Sequence, residues 1–267
     1  MQTTKSNAGS LSLGKIKLNR IGLGTNRITD NENARAVLKH AVSIGINFID
    51  TADIYQSGNS EITIGKTLAP YPEDIVIATK GGMVRGADAN NSPEHLQRVL
   101  SESLTSLKTN CITLYQLHRV NPKTPIKETV SFFKQMLSEG KIKYVGLSEV
   151  SVEQIEEARK TIEIATVQNR FSITERKHEV VVDYCEKHGI IFIPFFPLNS
   201  GGISSTTLEN IAKKHEASVH QIALAWLLKR SPVMLPIPGT LSVKHLDDNL
   251  AALKIELSDE DFETLSK

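Results

Sequence analysis

Short apolar runs alternate with segments of helical period along most of the chain, and this alternation constrains the fold more than any other feature. The runs are rich in isoleucine and valine and continuously apolar, which indicates strands covered on both faces, as in a parallel sheet. The candidate strands are residues 20–24, 46–50, 75–79, 112–117, 144–147, 164–168, 190–194 and 233–237. Helical segments between them include residues 33–43, 93–107, 126–138, 152–160, 179–188 and 219–229.

The residues at the helix boundaries support these assignments. Ser92 before Pro93 is typical of an N-cap followed by proline at the first helical position. Ser151 with Gln154 three residues later has the pattern of a capping box. Three glycines fall between a helix and the next strand, where a left-handed C-cap residue is expected: Gly45, Gly140 and Gly189.

Eight strand–helix repeats favour a closed barrel over an open doubly wound sheet. A barrel of this type occupies roughly 250 residues, close to the 267 of this chain. We therefore predict an α/β fold, a single (β/α)8 TIM barrel over residues 1–267. Residues 1–10 are expected to be a flexible N-terminal tail, and the alternating residues 11–18 a hairpin that closes the bottom of the barrel.

Composition excludes several classes of partner. The 31 Lys and Arg residues against 30 Asp and Glu give a net charge of +1, so no global field attracts nucleic acid or an anionic membrane. The first residues lack the apolar stretch of a signal peptide, and the most apolar run, 190–198, is too short to span a bilayer. Two cysteines, Cys111 and Cys185, cannot form a disulfide framework. We expect a cytoplasmic protein, a monomer or weak homo-oligomer.

Three familiar motifs fail on inspection. Gly22-Leu23-Gly24 begins like a dinucleotide fingerprint, but Arg27 stands at the third glycine position. Gly65-Lys66-Thr67 resembles the end of a phosphate-binding loop, whose leading glycine is replaced by Ser60. The eight histidines are scattered and form no metal-binding motif, so we expect no metal site.

Four reactive side chains lie where barrel enzymes place their chemistry, at the carboxyl ends of strands. Asp50 ends the second candidate strand and Tyr55 follows in its loop, while Lys80 and His118 end the third and fourth. A phenol with a pKa of about 10 is a poor proton donor at neutrality, unless an ammonium group stabilises the phenolate and a carboxylate keeps that ammonium charged. Tyr55 could then protonate a carbonyl oxygen that His118 orients.

With these four residues in place, the chain resembles the aldo-keto reductases from about residue 11 to residue 262. The resemblance rests on segments 22–25, 48–55 with Glu61, 78–80, 114–118, 140–148, 168–169, 197–198, 223–228, 237–240 and 248–249. It implies a barrel that reduces aldehydes or ketones with NADPH bound in extended form, and NADH is a second possible donor. It also implies that Tyr55 is the general acid, that Asp50 and Lys80 tune it, and that His118 orients the carbonyl group.

The same resemblance implies a set of cofactor contacts. Ser148 and Gln168 match residues that hold the nicotinamide carboxamide, and Phe195 matches an aromatic ring that stacks on the nicotinamide. Residues 198–201 would cover the pyrophosphate, and residues 240–249 would grip the adenosine end. The full set is Gly24, Thr25, Asp50, Ser148, Glu149, Gln168, Phe195, Pro197, Leu198, Ser200, Gly201, Ile237, Gly239, Thr240, Lys244, His245, Asp248 and Asn249.

Three departures from the family pattern bear on the cofactor and the substrate. Glu149 replaces a usual Asn, and an ionised carboxylate only accepts hydrogen bonds. Gly239 and His245 replace frequent cations, which leaves Lys244 as the permanent charge for a 2′-phosphate. Arg119 and Asn26 replace aromatic residues, which makes the pocket polar. The predicted substrate pocket is Asn26, Arg27, Arg85, Arg119 and Phe196.

The substrate remains open between two interpretations. Segments 194–198, 231–232 and 237–240 look like a bacterial branch that contains pyridoxal reductases, and a polar aromatic aldehyde suits the arginines and phenylalanines named above. The alternative is a broad-specificity aldehyde or ketone reductase.

Two further alternatives replace the reductase itself: a Schiff-base aldolase that uses Lys80 and a non-catalytic NADPH-binding sensor. The chain ends at Lys267, so we expect an open pocket without a long C-terminal flap.

Overall fold

The N-terminal hairpin is present and closes one end of a barrel, as predicted. The computed structural model describes residues 11–198, 202 and 205–267, so the predicted tail, residues 1–10, lies outside the described residues. Strands β1 (Leu11–Leu13) and β2 (Ile16–Leu18) pair antiparallel. Their leucines pack with the apolar residues inside the barrel, among them Phe48, Val76 and Leu114.

Seven parallel strands of the described residues follow one another around the barrel in chain order. Continuous burial accounts for their composition, because strands in a parallel barrel are covered on both faces. They are β3 (Leu23–Gly24), β4 (Phe48–Asp50), β5 (Val76–Gly81), β6 (Ile112–Leu117), β7 (Ile142–Ser148), β8 (Thr166–Gln168) and β9 (Ile191–Phe192). Each overlaps a predicted strand, and β6 has the predicted bounds.

The eighth predicted strand, residues 233–237, is not a regular strand. The segment nevertheless occupies the eighth position, with parallel bridges from Met234 to Phe192 and from Gly239 to Gly24. Prolines at 232, 236 and 238 have no N–H to donate, which prevents a continuous ladder. The segment therefore closes the barrel through single hydrogen bonds, such as Gly22 N to Pro236 O at 2.9 Å.

Helices cover the outside of the barrel, and their ends follow the predicted caps. They are α1 (Glu32–Ser43), α2 (Asn59–Leu68), α3 (Pro93–Ser106), α4 (Ile126–Ser138), α5 (Val152–Arg159), α6 (Glu179–His188), α7 (Thr206–Lys214), α8 (Val219–Arg230), α9 (Val243–Ala251) and α10 (Asp259–Leu265). Ser92 caps α3, and Ser151 forms a capping box with Gln154 on α5. The predicted C-cap glycines all have positive φ.

The helices bury their apolar faces against the outside of the strands and form a second, larger core. Trp226 of α8 is fully buried there, stacked with Phe171 and Phe262. Because both faces of the strands are covered, the polar side chains at the strand ends are held in a rigid frame. In the part of the chain that the structure describes, no helix is long and apolar enough to cross a membrane.

Candidate active site

The four predicted reactive residues, hereafter the tetrad, meet at the carboxyl end of the barrel. Asp50 is the last residue of β4, and Lys80 lies near the end of β5. His118 directly follows β6, with its backbone N–H bonded to Gly81 O at 2.9 Å. Tyr55 begins a 3₁₀ turn after β4. Neighbouring parallel strands therefore bring together side chains that are far apart in sequence.

Lys80 is the centre of the tetrad. Its Nζ donates to Asp50 Oδ2 at 2.6 Å, to Thr51 O at 2.8 Å and to Tyr55 Oη at 3.3 Å. The side chain is fully buried. Burial alone would lower the pKa of Lys80, but the charge of Asp50 and the contact with Tyr55 outweigh it and raise that pKa. Lys80 is therefore an ammonium ion at neutral pH, with all three of its protons directed at oxygen atoms.

The pKa of Tyr55 is set by burial more than by Lys80, which the sequence did not predict. Burial raises this pKa above its usual value, and the positive charge of Lys80 is the largest effect that opposes the rise. The ammonium of Lys80 thus acts in the expected direction, but burial is stronger. Tyr55 consequently keeps its proton at neutral pH and is held beside Lys80, the cation that contributes most to stabilising its phenolate.

His118 is neutral and has a free ring nitrogen. Burial, followed by the charges of Lys80 and Arg119, holds the pKa of His118 well below its usual value. Its ring lies edge-on to that of Tyr55, with the centroids 5.8 Å apart. The buried Nδ1 finds no hydrogen-bond partner among the described residues. A neutral imidazole carries one N–H donor, so His118 is able to direct a hydrogen bond at an oxygen atom without competing for the proton of Tyr55.

Two glutamines hold the second oxygen of the Asp50 carboxylate. Gln168 Nε2 donates to Asp50 Oδ1 at 2.8 Å, and Gln116 Nε2 does so at 3.3 Å. Gln116 was not singled out from the sequence, although it lies two residues before His118 on β6. With both of its oxygens bonded, the Asp50 carboxylate is fixed in the orientation that pairs it with Lys80.

The loop that carries Tyr55 has an unusual backbone. Gln56 and Ser57 both have positive φ, and the Gln56 side chain bonds to the carbonyl of Asn26 at 2.8 Å. Ser60 of α2 is buried and bonds Thr51 and Thr25 through its hydroxyl group. Strained residues persist only where their surroundings hold them. These contacts therefore fix the position of Tyr55 relative to β3 and β4.

Two carboxyl groups, the half-buried Asp53 and the buried Glu61, lie beside the tetrad. Burial, followed by the charge of Glu61, raises the pKa of Asp53 to about 7. Burial also raises the pKa of Glu61 to about 7, while its oxygen accepts a hydrogen bond from Thr79 at 2.5 Å. Both groups change their protonation state near neutral pH, so the charge of this region depends on pH.

A cleft of about 710 Å³ extends from the tetrad to helix α9. This volume is within the range of small-molecule and cofactor sites. Its walls consist of the ends of β3 and β4, the segment after β9 and the segment that closes the barrel. The lining residues are Gly24, Thr25, Asn26, Arg27, Asp50, Tyr55, Phe195, Phe196, Pro197, Leu198, Ser218, His220, Ile237, Pro238, Gly239, Thr240, Leu241, Ser242, His245, Asp248 and Asn249.

Most predicted cofactor and pocket residues line this cleft, but some do not. Ser148, Gln168 and Arg119 lie next to the tetrad, adjacent to the lining residues, as the hydrogen bonds of Arg119 to Ser148 and of Gln168 to Asp50 show. Lys244 is an exposed residue of α9, and Arg85 donates to the carbonyl of Ile54 at 3.1 Å. The predicted contacts Ser200 and Gly201 lie outside the described residues.

Glu149 turns away from the cleft. It has positive φ, and its carboxylate accepts a hydrogen bond from the backbone N–H of Arg170 at 2.7 Å. The same carboxylate lies 3.8 Å from His178 Nε2. One of its oxygens, Oε1, is thus engaged on that side, and Glu149 is not among the residues that line the cleft.

Sequence analysis missed several lining residues: Ser218, His220, Pro238, Leu241 and Ser242. Ser218 and Ser242 are the N-caps of α8 and α9. The pattern of Ser218 with Gln221 is a capping box and was a usable signal for a helix start. Leu241 has no comparable signal, since an isolated exposed leucine is common on any surface.

The residues of the cleft fit an extended dinucleotide. The N-terminus of α9 presents Ser242 and His245, and helix N-termini favour phosphate groups. At the other end the ring of Phe195 lies beside the tetrad and can stack on a flat ring. Between them, the backbone of Gly24 packs closely against the segment that closes the barrel, since a Cβ there would lie 2.7 Å from Ile237 O.

The profile of the Aldo/keto reductase family matches residues 20–267, nearly the whole chain. This protein belongs to the aldo/keto reductase family. The family comprises oxidoreductases that act on carbonyl and alcohol groups, which agrees with a tyrosine–lysine–aspartate–histidine centre and with the function predicted from the sequence. Among the described residues, no group of three or more His, Cys, Asp or Glu side chains could hold a metal ion.

Several known proteins are similar to this chain over almost their whole length. An uncharacterized oxidoreductase of Schizosaccharomyces pombe is 43% identical, over 98% of this chain and 90% of the relative. Pyridoxine 4-dehydrogenase of Escherichia coli is 36% identical, over 97% of both. The crystal structure of an aldo-keto reductase from Klebsiella pneumoniae in complex with NADPH is 27% identical, with a TM-score of 0.82 over 93% of this chain and 90% of that one. This aldo/keto reductase therefore has the (β/α)8 barrel predicted from its sequence.

Proposed function

We propose that this protein reduces an aldehyde to a primary alcohol with NADPH, and that the tetrad carries out the proton transfer. The observation that supports this most strongly is the fully buried Lys80 ammonium, bonded to both Asp50 and Tyr55 at the inner end of the cleft. The arrangement keeps Tyr55 protonated and places beside it the charge that stabilises its conjugate base. That is what a general acid for a developing alkoxide requires.

Each tetrad residue has a distinct role in the proposed reaction. Bound NADPH would supply a hydride to the carbonyl carbon, and the carbonyl oxygen would take the proton from Tyr55 Oη. The resulting phenolate is stabilised by the Lys80 ammonium, which Asp50 in turn keeps charged and oriented. His118 donates a hydrogen bond to the carbonyl oxygen from its neutral ring, so that the oxygen faces Tyr55. One hydride and one proton convert the aldehyde to the alcohol.

The cleft would hold the cofactor with its nicotinamide beside the tetrad and its adenosine end at α9. Phe195 would stack on the nicotinamide, and Thr240, His245 and the N-terminus of α9 would bind the 2′-phosphate that distinguishes NADPH from NADH. The NADPH complex of the similar Klebsiella protein supports this choice. The preference for NADPH should be moderate, because Lys244, the permanent charge predicted to bind the 2′-phosphate, is exposed and away from the wall. We therefore expect NADH to be accepted at lower affinity than NADPH.

Pyridoxal is the substrate that we propose, with pyridoxine as the product. Two observations support it: the 36% identical relative named pyridoxine 4-dehydrogenase, and the polar and aromatic side chains at the cleft mouth. Asn26 and Arg27 are exposed there, and the exposed ring of Phe196 lies edge-on to Phe195 with the centroids 5.5 Å apart. A hydroxypyridine ring could stack on Phe196 while its polar groups bond to Asn26 and Arg27.

The aldolase alternative is not supported by the site. A Schiff-base lysine needs an unprotonated amine in contact with its substrate. Lys80 is instead fully buried, paired with Asp50, and has a raised pKa. Borohydride should therefore trap no substrate adduct on Lys80, and such an adduct, found by mass spectrometry, would revive this alternative.

The direct test measures NADPH oxidation across a panel of aldehydes that includes pyridoxal, and repeats each assay with NADH. We expect kcat/KM for pyridoxal to exceed that for simple alkyl aldehydes at least tenfold. Uniform activity across the panel would retain the reductase and reject pyridoxal as its specific substrate. Tight NADPH binding without oxidation of any aldehyde would reject the enzymatic proposal and favour a cofactor-binding sensor.

A further inference from the structure

The guanidinium group of Arg119 lies beside the tetrad end of the cleft. Its Nη1 donates to His118 O at 2.7 Å and to Ser148 Oγ at 3.1 Å. Its Cζ lies 5.5 Å from the centroid of the Phe195 ring. Arg119 thus contacts both residues that we expect to contact a nicotinamide. Phe195 would stack on the nicotinamide ring, and Ser148 would bond to its carboxamide. A flat ring that touched Ser148 and Phe195 together would need the place that the guanidinium occupies.

The guanidinium and an oxidised nicotinamide share their chemistry. Both are flat cations that stack on an aromatic face, and both donate hydrogen bonds in their own plane. The reduced nicotinamide is flat but neutral. Burial lowers the pKa of Arg119, yet a guanidinium keeps its charge at neutral pH. In the structure Arg119 therefore makes the contacts that an oxidised nicotinamide would make.

Arg119 cannot move far when it leaves this place. It directly follows His118, whose backbone N–H is bonded to Gly81 at the end of β5. Only the side chain is free to swing, so its charge remains within several ångströms of the vacated position. At such a separation near a protein surface, two like charges repel appreciably, whereas a charge and a neutral ring do not.

We propose that Arg119 makes the site discriminate between the two redox states of the cofactor. The inference rests on the proposed function. The guanidinium lies where a nicotinamide would contact Ser148 and Phe195, and it swings aside when the cofactor binds. It then repels the oxidised ring more than the reduced ring. Breaking its two hydrogen bonds weakens the binding of both cofactor forms, while charge repulsion weakens the oxidised form alone. Arg119 thereby favours entry of NADPH and release of NADP⁺.

Equilibrium binding of NADPH and of NADP⁺, without any aldehyde, tests this proposal. Calorimetric titration of the wild type is compared with Arg119→Met, which keeps an apolar chain and loses the guanidinium. We expect the Kd of NADP⁺ to fall about tenfold and that of NADPH about threefold, which corresponds to the usual strength of such cation–π and hydrogen-bond contacts. Arg119→Lys keeps the charge, so the ratio of the two Kd values should stay within about twofold of the wild-type ratio.

Arg170→Met is the matched control. Arg170 also stacks on a phenylalanine, with its Cζ 5.6 Å from the centroid of the Phe196 ring, next to the Phe195 ring that we expect to stack on the nicotinamide. We expect this variant to change neither Kd more than about twofold. The proposal is overturned if Arg119→Met binds NADP⁺ no more tightly than the wild type, or if both cofactor forms gain equally. A wild-type protein that binds neither form would overturn the proposed function as well, so the two failures are distinguishable.

Discussion

The two ends of the cleft are built differently. At the tetrad end, Asp50 and Lys80 are buried in strand ends, and their polar atoms bond to other protein atoms. At the outer end the lining comes from loops and from the first turn of α9, and Phe196 and Leu241 are exposed. Phe196 also has positive φ, a backbone conformation that bulky residues rarely adopt.

In the proposed function, the tetrad end carries out the reaction and the outer end contributes to ligand affinity. A buried ion pair with complete hydrogen bonding is costly to alter, since removal of either partner leaves an unpaired charge in the interior. Exposed side chains at the outer end change at little cost, as is usual for loops carried by a rigid scaffold. We therefore expect substitutions at the tetrad end to change kcat by orders of magnitude, and those at the outer end to change affinity by small factors.

Apart from removal of the proton donor Tyr55 itself, the largest expected effect concerns Lys80. Lys80→Met should lower kcat about a hundredfold, because the phenolate of Tyr55 loses its stabilising charge. Loss of the positive charge should also raise the pKa of Tyr55 further. In the reduction direction the rate falls as Tyr55 loses its proton, so this fall should move to higher pH. The dependence of kcat on pH, measured for both proteins, checks the shift.

Lys80→Met also leaves the Asp50 carboxylate buried without its partner, which should cost about 3 kcal/mol of unfolding free energy. The double variant Asp50→Asn/Lys80→Met removes both charges and is the control for folding. It should recover most of that stability while its kcat stays low. A pH profile of Lys80→Met that matched the wild type would contradict the tuning of Tyr55 by Lys80.

A smaller effect concerns Glu61, the buried acid beside the tetrad. The pKa of Glu61 is raised to about 7, so the folded protein binds a proton that the unfolded chain has released. Stability from this group is present at low pH and is lost as pH rises from about 4.5 to about 7. Glu61→Gln should therefore remove about 2 kcal/mol of the stability difference between pH 5 and pH 8.

Urea denaturation of the wild type, Glu61→Gln and Glu128→Gln at the two pH values measures this difference. Glu128 is an exposed residue in the first turn of α4 and is the matched control. Its substitution should leave the pH dependence unchanged. Equal pH dependence in Glu61→Gln and the wild type would show that Glu61 titrates normally in the folded protein.

The smallest effect concerns the outer end of the cleft. His245 and Lys244 are both exposed, but only His245 lines the cleft. His245→Gln should raise the Kd of NADPH about threefold and leave that of NADH unchanged, while Lys244→Gln should change both less than twofold, because an exposed charge is screened. A larger loss in Lys244→Gln would place the 2′-phosphate closer to Lys244 than the structure suggests.

Much of the barrel was predictable because its signals are local. Continuous apolar runs, the caps at Ser92 and Ser151, and the C-cap glycines are read within a few residues, and the structure confirms them. The segment at 233–239 differs because its pairing depends on which backbone N–H groups the prolines remove. Its place in the barrel, between β3 and β9, is a property of the closed sheet and not of the segment alone.

The site was predictable to the extent that it depends on strand ends. Asp50, Lys80 and His118 meet because neighbouring parallel strands end at one edge, a consequence of topology. The contact of Arg119 with Ser148 and Phe195 depends instead on the conformation of a long side chain. Likewise, burial exceeds the effect of Lys80 on the pKa of Tyr55, and the balance of two opposing effects requires coordinates.

The most direct test of the account is a single-turnover comparison of the two ends of the cleft. NADPH-loaded protein is mixed rapidly with excess aldehyde, and NADPH consumption and alcohol formation are followed for the wild type, Tyr55→Phe and Phe196→Leu. We predict a loss of about a thousandfold in Tyr55→Phe, with NADPH affinity retained, because only the proton donor is removed. Phe196→Leu should slow the reaction less than about tenfold. A wild-type rate in Tyr55→Phe, or an equal loss in both variants, would contradict the assignment of the chemistry to the tetrad.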